Sequence, residues 1–290
     1  MKECDVVNEV KDCSLILEGG TFRTVYTAGV LDALMGEEIV MPYIAAISAG
    51  AINAVSYMSN QPERTLRVLT TYRNDPRYMG ARNIIKEKSI FGLDFAYNVI
   101  PNERDLFDWD TYYNYPGEVE FGVTNAYTGK VEYKQAHTMT RTCDILQATC
   151  AIPVLFPEIK IGNAPYYDGG LADSIPVKRA IEKGFDKHLL ILTREPGYLK
   201  ASSKSSSWAT MLFKKRYPRL AAAMNGRPEM YNDTMQLIGA LEQEGKAFIF
   251  KPQHALKSFE NKVDQMKANY NMGYEQATKQ MAELKQFLNI

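Results

Sequence analysis

Three short stretches of this 290-residue chain carry residues able to do chemistry together. The first is the apolar run Tyr43-Ile44-Ala45-Ala46-Ile47, which ends in Ser48-Ala49-Gly50 and passes at once into an Ala-rich segment. A strand that turns so abruptly into a helix holds one hydroxyl at the tip of the turn, where it can act as a nucleophile. The second is Glu18-Gly19-Gly20-Thr21-Phe22-Arg23-Thr24, a glycine loop entering a helix, whose unpaired N–H groups suit a developing oxyanion. The third is Tyr167-Asp168-Gly169-Gly170, in which the two glycines leave a carboxylate unobstructed. A serine hydroxyl needs a base. The three histidines, His137, His188 and His254, lie away from glycine-flanked strand ends, so Asp168 is the better partner and a Ser–Asp dyad is expected. The N–H of Ala49 adds a further oxyanion donor.

These stretches must be positioned by a scaffold. Ser14–Gly20 and Tyr43–Ser48 are expected as buried strands, each followed by a helix (Val25–Glu37, Ala49–Asn60), with a third helix over Pro62–Asn74. Strand and helix alternating in this order predict a parallel sheet with crossover helices, and sites in such sheets gather at the carboxyl ends of strands. Glu118–Gln135 reads as a hairpin turning at Tyr127-Thr128-Gly129-Lys130. Arg141–Ile159 reads as a helix stopped by Pro153, and another helix is expected to start near Pro176. His188–Glu195 and Lys246–Pro252 complete the strands, and Gly197–Trp208, rich in serine, is expected to be a flexible loop. The whole chain, 1–290, is read as one domain. It carries an aromatic-rich, cap-like insertion over about 75–116 and a mainly helical region over about 208–290.

Composition narrows the function class. Lys plus Arg equals Asp plus Glu at 34 each, which gives no basic excess for nucleic acid, and no nucleic-acid partner is expected. Cys4, Cys13, Cys143 and Cys150 form no C-x-x-C pair, and no H-E-x-x-H or EF-hand pattern occurs, so no metal or cofactor is expected; Asp144, Glu158 and Asp173 read as solvated or ion-paired. Isolated buried thiols, a polar N-terminus and no apolar run of about 20 residues suggest a cytoplasmic protein.

"EGGTFRT", "AISAG" and "DGG", in this order, resemble the patatin-like phospholipase family, in a bacterial subgroup. "TAGVLDAL", "ATCAIPVLFPEI" and "YYDGGLADSIPVKRAIEKG" extend the similarity over nearly the whole chain. The resemblance implies a three-layer α/β/α sandwich with a mainly parallel sheet and a nucleophile elbow. It implies a serine hydrolase of lipid acyl esters, of phospholipase A, lysophospholipase or esterase type. Ser48 would be the nucleophile and Asp168 the general base. Gly19, Gly20 and Thr21, with Ala49, would supply the oxyanion hole, and Arg23, Gly50, Gly169 and Gly170 would support it. Ala46, Thr21 and Thr24 depart from the family's usual glycines. A β-branched residue at a positive φ at position 21 would be strained by about 1–3 kcal/mol and would turn an oxyanion N–H aside. The alternative is a catalytically impaired lipid-binding or regulatory protein on the same fold. A peripheral membrane contact is expected at Trp208, Met211, Leu212 and Phe213, followed by Lys214, Lys215, Arg216 and Arg219.

Overall fold

The computed structural model describes residues 8–201 and 204–290, with the side chains of 204–207 left aside. Cys4 lies outside the described residues. A short parallel pair, β1 (Asn8–Glu9) and β3 (Ile39–Val40), flanks the main sheet. The main sheet has eight strands. Its parallel part contains β2 (Cys13–Leu17), β4 (Tyr43–Ile47), β5 (Glu118–Asn125), β9 (Lys187–Ile191) and β10 (Ala247–Phe250), in the order β10-β9-β2-β4-β5. Its antiparallel edge consists of β6 (Val131–Gln135), paired with β5, and of β8 (Ala164–Asp168) and β7 (Ile159–Ile161), which continue from β5.

β2 and β4 are buried along their whole length, which explains why they read as unbroken apolar runs and not as alternating ones. Leu15, Leu17, Ile44 and Ala46 face one layer of helices: α1 (Val25–Gly36), α2 (Ala49–Met58), α10 (Val263–Lys279) and α11 (Met281–Leu288). Ile16, Tyr43, Ala45 and Leu190 face the other: α7 (Val177–Glu182) and α9 (Pro218–Gln243). The result is a three-layer α/β/α sandwich around a mixed, largely parallel sheet. Because side chains alternate across a strand, a one-residue slip of β2 or β4 would exchange the two cores.

The hairpin turns where expected, with Thr124 opposite Val131 and Gly129 at φ 66°. Residues 75–116 are more regular than expected. They hold α4 (Ala81–Glu87), a π-helical stretch (Phe95–Arg104) and α5 (Trp109–Tyr113). The helix expected over Arg141–Ile159 is reduced to α6 (Asp144–Thr149). Cys143 takes a left-handed conformation at its start and Cys150 closes it, three residues before Pro153, so proline does not set its end. The serine-rich loop is also shorter than expected, because α8 (Lys204–Lys214) begins inside it. Trp208, Met211 and Leu212 are exposed along α8. Phe213 is half-buried and packs edge-on against Tyr167, while Lys214, Lys215 and Arg216 are exposed, Arg216 pairing with Glu158 at 2.9 Å. No described helix is long and apolar enough to cross a membrane.

Candidate active site

Ser48 sits between β4 and α2 at φ 55° and ψ −130°, a strained conformation for a residue with a Cβ. Two contacts hold it. Its N–H donates to Thr149 Oγ1 at 2.8 Å, and that hydroxyl donates to the Gly122 carbonyl on β5 at 2.6 Å. At Gly50, a Cβ would stand 2.8 Å from the Leu17 carbonyl and 2.9 Å from that of Glu18, so the turn can press against the end of β2 only with glycine there. Ala46, one of the departures from glycine, is fully buried within the ladder between Leu17 and Phe121.

The Ser48 hydroxyl donates to Asp168 Oδ2 at 2.7 Å, and Asp168 Oδ1 accepts the Gly170 N–H at 2.8 Å. Both side chains are buried. Burial raises the Asp168 pKa above the ordinary carboxylate value, opposed by the positive charge of Arg227 and by these two hydrogen bonds. The histidines are elsewhere. His188 is fully buried against Ser14 Oγ at 2.8 Å and is pushed down to about 4 by burial, and His137 contacts the Tyr115 carbonyl at 3.1 Å.

The glycine loop lies beside the serine. A Cβ on Gly19 would come within 2.9 Å of Ser48 Cβ. The N–H groups of Gly19, Gly20, Thr21 and Ala49 have no acceptor among the described residues. Thr21, which stands where the family has glycine, does take a positive φ, at 51°. Its hydroxyl lies 2.6 Å from both the Gly20 and Ser258 carbonyls, a tether that opposes the strain. Thr24, by contrast, is ordinary right-handed helix at φ −68° and donates to the Thr21 carbonyl, so it carries no such cost. Thr21→Val keeps the β-branch and removes the tether. Denaturant unfolding is expected to show it about 1–3 kcal/mol less stable than wild type, whereas Thr21→Gly, which loses strain and tether together, stays within about 1 kcal/mol. Equal losses in both variants would mean that the hydroxyl does not matter.

Two cavities meet at Ser48. One, of about 150 Å³, is apolar and lined by Ile52, Val55 and Leu69 from the core helices and by Tyr97, Ile100 and Phe107 from the 75–116 region. The other, of about 240 Å³, is polar and contains Asp168, Gly19, Gly20 and Thr21 together with Arg23, Arg194, Lys200 and Arg227. Thr149, Arg194, Lys200 and Arg227 were not singled out by sequence reasoning. Arg227 reads as one more cation on a helix face, and Lys200 lies in a loop named only for its serines. No cluster of histidine, cysteine, aspartate and glutamate suited to a metal occurs among the described residues.

Residues 217–289 match a domain of unknown function (DUF6363). The chain is 25% identical over 288 residues to the uncharacterized protein YjjU of Escherichia coli strain K12, covering 90% of this chain and 74% of that one. The crystal structure of VipD from Legionella pneumophila is similar with a TM-score of 0.46 and 15% identity, covering 97% of this chain and 67% of that one. The patatin-like phospholipase description matches residues 15–181, more than half of the chain and all three chemistry-bearing stretches, and the chain therefore belongs to the patatin-like phospholipase family.

Proposed function

We propose that the protein hydrolyses lipid acyl esters through Ser48 and Asp168. Ser48 Oγ attacks the ester carbonyl as Asp168 Oδ2 takes its proton. The resulting oxyanion is bound by the N–H groups of the Gly19–Thr21 loop and Ala49. Asp168 then returns the proton to the departing alcohol as the carbon–oxygen bond breaks. Water, deprotonated by the same carboxylate, hydrolyses the acyl-serine and regenerates the enzyme.

The observation that carries this reading is the 2.7 Å hydrogen bond between Ser48 and Asp168 at a positive-φ turn, beside unpaired N–H groups. The apolar cavity that opens at Ser48 suits an acyl chain. The experiment is incubation of the protein with a mixed phospholipid extract and assay of free fatty acid and deacylated lipid. Time-dependent release of fatty acid is the expected result. No release from any lipid class by folded protein would favour the non-catalytic alternative.

A further inference from the structure

The polar cavity beside Ser48 holds four cations, Arg23, Arg194, Lys200 and Arg227, and two carboxylates, Glu18 and Asp168. Both carboxylates are engaged. Glu18 accepts the Thr193 N–H at 2.6 Å and the Tyr231 hydroxyl at 3.1 Å, and Asp168 accepts Ser48 and Gly170. None of the four cations is in an ion pair among the described residues. Arg23 is more than nine-tenths buried. One of its terminal nitrogens donates to Ser258 Oγ, but its Nε has no partner. Among the described residues Arg227 makes one hydrogen bond, a long one of 3.4 Å to Ser174 Oγ, and its charge acts on Asp168. Lys200 is held in place by its backbone, whose N–H and carbonyl bond the Asn232 side chain at 2.9 and 3.0 Å. Arg194 stacks over Tyr198, and Lys200 lies over Tyr231. Arg23 is buried and Arg194, Lys200 and Arg227 are half-buried, so a site that collects four cations around one cavity with no ion pair among the described residues suits an anion.

We propose that this cavity is the subsite for a phosphate group on the alcohol side of the scissile ester. Resting on the hydrolase reading above, this makes the preferred substrate an acyl ester of a phosphorylated alcohol, such as 1-acylglycerol 3-phosphate. The acyl chain then lies in the apolar cavity and the phosphate lies among Arg23, Arg194, Lys200 and Arg227. Three guanidinium forks and one ammonium suit a phosphomonoester dianion better than a singly charged diester. Arg227, Tyr231 and Ser258 come from the region of unknown function, residues 217–289, so that region supplies one wall of the headgroup site. Lys200 is pushed down to about 7, mainly by burial and then by Arg227, so its charge is lost as pH rises through that value.

The test compares 1-acylglycerol 3-phosphate with the monoacylglycerol of the same chain, below their critical micelle concentrations. Glycerol 3-phosphate and inorganic phosphate are titrated calorimetrically in parallel. Wild type is expected to favour the phosphorylated ester in kcat/KM by about tenfold or more, and that ratio is expected to fall about tenfold in Arg227→Gln and in Lys200→Gln. The ratio cancels any change that loss of Arg227 makes to Asp168. Arg227→Lys should recover part of the ratio, and Arg194→Gln serves if Arg227→Gln does not fold. Glycerol 3-phosphate should bind wild type and weaken in the same variants. Equal kcat/KM for both esters with no glycerol 3-phosphate binding would overturn the subsite and leave the hydrolase reading intact. Variant-sensitive binding without hydrolysis of either ester would do the reverse. Inorganic phosphate binding as tightly as glycerol 3-phosphate, with no preference between esters, would assign the site to free phosphate and overturn the headgroup role.

Discussion

Asp168→Asn is expected to lower ester turnover by about 10²–10⁴-fold while the protein folds normally, because an amide cannot take the serine proton. Asparagine has nearly the same shape and its carbonyl oxygen can still accept the Gly170 N–H that Asp168 accepts now. Stability should move the other way. Burial raises the Asp168 pKa in the folded chain, so the ionised carboxylate costs stability once pH passes its unfolded value, and this cost is complete above its folded value. Asparagine has no such cost. The variant should therefore be at least as stable as wild type at neutral pH and lose that advantage in acid. For the same reason wild-type activity should fall as pH drops through the raised pKa. His137→Ala should change none of this, since His137 contacts the Tyr115 carbonyl and not the dyad. Near-normal hydrolysis by Asp168→Asn, with loss in the histidine variant, would sink the assignment.

What could be read from the chain before any coordinates were residues whose neighbours are small. Ser48 and Asp168 are legible because Gly50 and Gly169 crowd against backbone at strand ends, and those close approaches leave a trace in sequence. That β2, β4 and β9 are strands of a largely parallel sheet is legible because each is an apolar run buried on both faces, whereas their order across the sheet is not. The threonine at position 21 was readable as a strained residue, but not as a tethered one, because its partner Ser258 is 237 positions away. Arg194, Lys200 and Arg227 carry no local signature at all. They come together only because a loop and α9 close over the ends of the strands. Elements with weak apolar periodicity fared worst: α6 shrank to six residues, and α8 extended into a stretch whose serines suggest a loop.

In the proposed mechanism Ser48 becomes covalently acylated, and loss of its hydroxyl is expected to have an all-or-none effect. Fluorophosphonates react with a serine only when a base removes its proton and the neighbouring N–H groups bind the developing oxyanion, so labelling reports the assembled site and not the hydroxyl alone. Ser48, at φ 55° after β4, is bonded to Asp168 at the end of β8, and no other described serine shares a buried carboxylate in this way. The decisive measurement is mass spectrometry of the intact protein and of its peptides after exposure to a long-chain fluorophosphonate. One adduct per chain is expected, on the peptide containing Ser48, absent in Ser48→Ala and strongly slowed in Asp168→Asn. An unlabelled Ser48 in folded wild type, or an adduct that persists in Ser48→Ala, would contradict it.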